Sequence, residues 1–450
     1  MKNTGKLKRL IFSLTAALLM LLGTAGGYVL TTLDSSAAAT PRQGPFEGPP
    51  NNAALSTQGL VALVQKGIKE GVPRAELFVQ LGSAYLQSAR ETGDPTYYVK
   101  AETVFRQALE LEPQNSAAMG GLGSLALSRH QFQEALEWAK RAISLNPHNS
   151  SHYGVRGDAL IELGRYPEAF DVFQKMVDTR PDLSSYARVS YARELTGDIN
   201  GAISAMTSAV NNGGSVGESV AWARFQLGNL FWTYHGDLRR AEEEYYRATL
   251  SKPDYSPALA GLARVAAARG DLEEAIKLAE RAATLMPLPE HVILLGELLR
   301  AANRADEAAQ QDALVRTIDQ LARAAGMDTD LEIALFEADL GERTDVALDA
   351  ARQGYAKRPS AKAADTLAWA LLKAGQAEEA RAYIQRALAL GSREPLTHYH
   401  AGKIALALGD HEDAASHLKT ALTANPHFSL RYAKDTQDTL ATLTGGKGGH

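Results

Sequence analysis

The chain has 450 residues, 45% of them hydrophobic and 22% charged, with 47 basic against 52 acidic side chains and a formal net charge of −5. Zero cysteines exclude disulfides, thiolate metal sites, a cysteine nucleophile and a lipoprotein-type anchor. A mildly acidic body with both signs mixed along most segments argues against a nucleic-acid partner.

Lys2, Lys6, Lys8 and Arg9 precede an uncharged run from Leu10 to Leu33. This is the pattern of an N-terminal hydrophobic helix, and it has two readings. It is either an export signal, with small-residue cleavage sites at Gly23–Ala25 or Ala37–Ala39, or a membrane anchor. Its 24 uncharged residues exceed the roughly 20 that a spanning helix needs. The basic end then stays in the cytoplasm, which puts the rest of the chain outside it. Residues 34–52 hold four prolines and two glycines and read as a flexible linker. Ser56 or Thr57 then caps a first helix, whose Leu60, Val61, Leu63, Val64 and Ile68 face the first repeat.

From there the chain repeats itself. The segment Ser116–Asn149 reads as two short amphipathic helices around a tight turn, with Ala135, Ala139 and Ala142 forming a small-residue stripe on the second. Neither helix buries its stripe alone, so the unit must stack on copies. The alanine that opens the second helix recurs at Ala101, Ala135, Ala169, Ala202, Ala241, Ala275, Ala308, Ala347, Ala380 and Ala414, at spacings of 33, 34 or 39 residues. These mark ten units. Prolines stand twelve residues after seven of the alanines, from Pro113 to Pro426. Glycines such as Gly164, Gly197, Gly236, Gly375 and Gly409 mark the turn before the alanine, where positive φ is expected. His130 and Asn303 take that place in two units.

Three irregularities stand out. Ser88–Ala101 carries about seven extra residues against the repeat period and is expected to lengthen the first turn. Asn211–Ser219 reads as a glycine-rich loop or hinge, dividing the array into blocks at 53–212 and 213–428. Ala305–Ala325 has no Gly or Pro and predicts a longer helix. Residues 429–450 predict a closing helix and a disordered tail, with Phe428, Leu430, Ala433, Leu440 and Leu443 as its apolar side.

With Phe78, Leu81, Gly82 and Tyr85, then Ala101, Phe105 and Pro113, the first unit resembles the tetratricopeptide repeat family. Unit three keeps Gly157, Ala169, Phe173 and Pro181; unit five keeps Leu227, Gly228, Phe231, Ala241, Tyr245 and Pro253. Units seven and eight depart most, at Val315 and Asp330. The resemblance covers residues 74–428. It implies an all-α, right-handed solenoid of about ten helix pairs, used as a binding scaffold with its first helices lining a concave groove.

No metalloprotease, P-loop, nucleophile-elbow or dinucleotide-binding motif occurs, and the His148/His152 and His398/His400 pairs do not present one metal-binding face. Neither a cofactor nor a small-molecule substrate is expected. On the helical wheel of unit five, Trp222, Phe225, Asn229 and Trp232 fall in one arc away from the packed face. The same reckoning puts Tyr191, Glu194, Arg264, Trp369, Lys373, Tyr399 and Lys403 in the groove, with Asp158, Glu162, Glu297, Arg300 and Asp365 beside them. Such aromatics either pack on the next repeat or anchor a protein or peptide partner. The clamp of chaperone-tail-binding relatives is not matched, since Val79 and Ser83 occupy its first two positions. The expected function is a non-enzymatic scaffold or adaptor of the cell envelope; the alternative is an exported module that stacks glycan or cell-wall polymer on the same aromatics.

Overall fold

Each unit folds as a helical hairpin because its turn both ends one helix and starts the next. Gly197, Gly236, Gly270 and Gly409 adopt φ of +77°, +53°, +85° and +80°, the left-handed conformation that closes a helix. The aspartate after each glycine caps the following helix through its side chain, accepting from the backbone N–H of Gly201, Arg240, Glu274 and Asp413 respectively. His130 and Asn303 take the same backbone conformation, each at φ +59°.

The computed structural model describes residues 56–71 and 73–445, which form 22 helices. Helix α1 (Thr57–Glu70) precedes ten pairs: α2/α3 (Ala75–Thr92, Thr96–Leu111), α4/α5 (Ser116–Ser128, Phe132–Leu145), α6/α7 (Ser150–Glu162, Tyr166–Thr179), α8/α9 (Leu183–Leu195, Ile199–Asn211), α10/α11 (Glu218–His235, Leu238–Ser251), α12/α13 (Ser256–Ala268, Leu272–Leu285), α14/α15 (Pro289–Ala301, Ala305–Ala324), α16/α17 (Asp330–Leu340, Thr344–Lys357), α18/α19 (Ala361–Lys373, Ala377–Leu388) and α20/α21 (Pro395–Ala407, His411–Ala424). Helix α22 (Ala433–Gly445) closes the array. No strand occurs among the described residues. The candidate signal or anchor and the linker, residues 1–52, lie outside the described residues. Among those that are described, no helix is long and apolar enough to cross a membrane.

The repeating alanine is buried between helices, and all ten copies are 0 or 1% exposed. Beside it, a large side chain from the second helix fills space left by glycines on the first helices. Phe105 lies between Gly82 and Gly121, where an added Cβ would meet its ring at 2.6 and 2.3 Å; Tyr245 lies likewise between Gly228 and Gly261. One repeat is thereby keyed into the next.

Two local expectations change. The extra residues of the first unit do not lengthen its turn. They extend both helices, leaving Gly93–Pro95 between α2 and α3, with Gly93 left-handed and the Asp94 carboxylate accepting from Thr96 N–H. Leu63 is 56% exposed rather than facing the first repeat, while Ser56 caps α1 as expected and Val64 is buried. The long helix at Ala305 is present as α15. Across the loop after α9, one apolar cluster runs from Leu183 and Ala202 to Val220 and Ala258.

First helices of adjacent repeats pack on one another directly, so the array curves toward that side and winds into a superhelix whose successive turns touch. The contacts keep a register of five repeats. The turn of repeat 2 meets the loop after repeat 7, where His130 Nδ1 lies 2.7 Å from the Asp328 carbonyl and Asp328 N–H donates to the Arg129 carbonyl. The turn of repeat 3 meets the loop after repeat 8, with Ala361 N–H donating to the Tyr166 hydroxyl. In repeat 4, Gly197 lies against the Gly391 carbonyl, and in repeat 5 the Trp232 carbonyl accepts from Asn425 Nδ2 at 2.8 Å.

This seam separates two glycines that look alike in sequence. A Cβ on Gly197 would sit 2.4 Å from the Gly391 carbonyl oxygen, whereas nothing lies within 4 Å of one on Gly375, at nearly the same φ of +78°. Gly375→Ala should therefore cost about 1–2 kcal/mol for the left-handed backbone alone. Gly197→Ala should cost about 1–3 kcal/mol more for overpacking. Urea unfolding of both variants checks this, and equal losses would show that the seam is not a tight contact.

Candidate functional site

The inner wall of the superhelix is built from the first helices, and it encloses a cavity of about 560 Å³. Repeats 5 to 9 supply most of the lining, and the turn of repeat 2 and the end of α6 reach in from the other superhelical turn. Phe225, Ile293 and Leu294 give it an apolar side, and Glu290, Arg264 and Lys362 a charged one. A smaller pocket adjoins it, lined by Trp222, Tyr191 and Glu194, and Asn229 borders both.

The charges of this wall are set by enclosure. Arg358 is buried, and its Nη2 donates to both Glu332 carboxylate oxygens at 2.7 and 2.9 Å. Burial pushes the Glu332 carboxyl up, but Arg358 and His130 outweigh it and hold the group below its ordinary range. Burial lowers His291 to about 4 and lowers His130 as well. Both imidazoles are therefore neutral near pH 7, and each bonds a backbone carbonyl through Nδ1, that of Met286 for His291. Glu290 keeps an exposed face yet is surrounded by protein, and that enclosure raises its carboxyl although Lys362 lies close enough to lower it. In the lining of the smaller pocket, Arg188 and Asp158 form a buried two-bond pair at 2.8 and 2.6 Å. The pair stiffens the wall that carries Tyr191 and Trp222.

Six residues expected in the groove share this wall. Trp222 and Phe225 are half-buried, and the Phe225 ring rests on Tyr245 at 5.7 Å. The Asn229 side-chain carbonyl accepts from the Tyr245 hydroxyl at 2.8 Å and from Arg264 Nη2 at 3.0 Å, tying Arg264 to the aromatic row. Tyr191 and Glu194 complete the set.

The other five line neither pocket. Trp232 is only 5% exposed, packed in the core with the Arg264 guanidinium 5.8 Å from its ring. Trp369 and Tyr399 are 2 and 3% exposed, because Tyr432 covers both, edge-on to Trp369 at 5.6 Å and stacked on Tyr399 at 4.5 Å. Lys403 is held by Asp435 at 3.1 Å, and Lys373 lies over the Trp369 ring. Phe428 and Leu430, expected in the closing helix, precede it in a series of turns that crosses this inner face.

Sequence reasoning missed Phe132, Glu290, His291, Glu332, Arg358 and Lys362. They stand at helix ends and turns, and only the winding of the array brings them to one cavity. Among the described residues, no group of three or more His, Asp and Glu is placed to hold a metal. His398 pairs with His417 and His400 with Asp365, so the two diverge.

Stacked hairpins of this kind define an α-solenoid of helix–turn–helix repeats. Residues 98–150, 140–184, 225–288 and 366–427 match the family model for the tetratricopeptide repeat. The matched segments are thus similar to tetratricopeptide repeats, and the same hairpin geometry runs through all ten units. Similar solved structures include a human IFIT1 dimer with m7Gppp-AAAA, 16% identical over 75% of this chain and 76% of that one, with a TM-score of 0.47. The Cut9–Hcn1 hetero-tetramer of the APC/C is 12% identical over 86% and 93%, with a TM-score of 0.38. The repeat protein TTC0263 of Thermus thermophilus is 20% identical over 46% and 98%, with a TM-score of 0.36. No curated protein matches the chain.

Glu194 gives the wall a pH dependence. Burial raises its carboxyl to about 7; the bond from the Tyr234 hydroxyl opposes the rise, and Glu394 across the seam adds to it. Glu394 is itself raised to about 7, mainly by burial. Both values lie above the ordinary 4.5, so the folded chain holds protons that the unfolded chain releases. Their contribution to stability is fully present below about pH 4.5 and lost as pH rises through about 7. Glu194→Gln should flatten the fall in Tm between pH 5 and 8, and parallel Tm curves for variant and wild type would refute this.

Proposed function

We propose that the chain is a non-enzymatic scaffold or adaptor that holds a protein or peptide partner on its inner wall around Trp222, Phe225 and Arg264. Tetratricopeptide repeats generally mediate protein–protein interaction, and solenoids use their concave surfaces for it. The observation that carries the reading here is the half-buried aromatic pair beside a guanidinium held by Asn229. Aromatic and arginine side chains of this kind are enriched among residues that dominate binding energy.

We further place the protein in the cell envelope, tethered through residues 10–33 with its solenoid outside the cytoplasm. The support is the basic N-terminus followed by 24 uncharged residues. Assembly or maturation of envelope complexes is the role that such a tethered scaffold suits.

Two measurements test these points. Pull-down with the full chain should recover partners that Trp222→Ala combined with Phe225→Ala reduces about 30-fold or more, as expected for loss of about 2 kcal/mol. Trp138→Ala, on the outer helix α5, should leave recovery unchanged. Unaltered capture by the double variant would reject the wall as the binding surface. Separately, membrane fractionation with N-terminal sequencing should find an intact start at Met1 or Lys2 in a wash-resistant fraction, and a start near Gly26 or Thr40 would refute the anchor.

A further inference from the structure

The inner face of repeats 7 to 10 is not empty: the chain's own C-terminal segment lies in it. After α21 the backbone turns through Pro426–Tyr432, whose side chains touch repeats 6 to 10, before α22 begins. Leu430 packs on the apolar cluster of repeats 6 and 7. Arg431 Nη1 donates to the Asp339 carbonyl at 2.7 Å, and its Nε lies 3.4 Å from Glu297. The Tyr432 hydroxyl donates to Asp339 Oδ1 at 2.7 Å, the oxygen that also accepts from Trp369 Nε1. Asp435 receives the Tyr399 hydroxyl at 2.9 Å and Lys403 at 3.1 Å.

A helix that only closed a solenoid would need an apolar side against the last repeat and a polar side outward. This segment does more. Four of its side chains meet groups of matching chemistry spread over repeats 6 to 10: an aliphatic residue on an apolar cluster, an arginine on a carbonyl and a carboxylate, a tyrosine between two aromatic rings, an acid on a lysine and a hydroxyl. That is how a groove reads a peptide.

We propose that the inner face of repeats 7 to 10 is a recognition site for a partner segment bearing an aliphatic residue, arginine and tyrosine in succession with an acid three residues further on, and that Leu430–Asp435 occupies it as a displaceable stand-in. The proposal rests on the inner face being the binding surface and adds the chemistry of what it binds. A tethered segment competes at high effective concentration, so a partner sees only the fraction of chains whose site is free, and its apparent affinity falls by that fraction.

The test uses the full chain and a fluorescently labelled synthetic peptide of residues 427–438, with binding read by anisotropy. Arg431→Ala with Tyr432→Ala in the protein should loosen its own segment and tighten peptide binding about tenfold or more. Adding Lys403→Glu should abolish that gain, and a peptide whose arginine is replaced by alanine should bind neither form well. Equal affinity for wild type and the double variant, or a gain that Lys403→Glu leaves intact, overturns the proposal. If circular dichroism shows that the double variant has lost its fold, Asp435→Ala carries the comparison, since it keeps Leu430, Arg431 and Tyr432 and should give a smaller gain of the same sign; no gain there overturns it equally. A concentration-dependent wild-type dimer that the tail variant lacks would assign the face to a second copy of the chain and overturn it too. Because the probe is the chain's own sequence, failure here leaves capture at Trp222 and Phe225 standing, and loss of that capture leaves this result standing.

Discussion

The contact on which the interior depends is the seam between superhelical turns. A row of stacked hairpins has an inner face open along its length. Here the hairpin turns of repeats 2 to 5 rest on the loops after repeats 7 to 10, and the row becomes a wound tube with a cavity. The seam is made largely of backbone: carbonyls of Asp328, Trp232 and Arg129, and the close approach of Gly197 to Gly391. Backbone contacts at such distances admit little adjustment. The curvature set by each repeat must therefore be right to within a fraction of an ångström after five of them.

That precision comes from the glycine-and-aromatic keys between neighbours. Phe105 between Gly82 and Gly121, and Tyr245 between Gly228 and Gly261, fix how far each first helix can approach the next. A small change in one key would be multiplied along the array and appear at the seam. The same keys explain why the enclosed carboxyls are tolerated. Once helix positions are fixed, the half-buried Glu194 is held among protein groups, and protonation becomes the cheaper response.

What the sequence made legible was local. Period, turn conformation and caps follow from interactions within about forty residues, and for that reason His130 and Asn303 were identifiable as left-handed residues and α15 as a long helix. The helical wheel grouped Trp222, Phe225, Asn229, Tyr191, Glu194 and Arg264, and these six line the two adjoining pockets. It failed for Trp232 because a wheel gives direction and not depth, and the adjacent repeat closes over that side chain. Trp369 and Tyr399 do face the inner surface, but a cover reaches them from Tyr432, more than thirty residues later. Nothing in the repeat pattern marks Tyr432 as an inward residue, nor distinguishes Gly197 from Gly375, because both properties arise from the accumulated winding.

The two halves of the inner surface thus stand in different states. Around Trp222 and Phe225 the aromatics border open space, while around Trp369 and Tyr399 equivalent positions are filled by a segment with a hydrogen-bonding complement of its own. Asp339 joins the covered half into one unit, since a single carboxylate oxygen accepts from both the groove's Trp369 and the segment's Tyr432. Removing the segment would leave that carboxylate with one donor fewer and expose two large aromatic faces, a surface that lowers its free energy by taking another chain of the same chemistry.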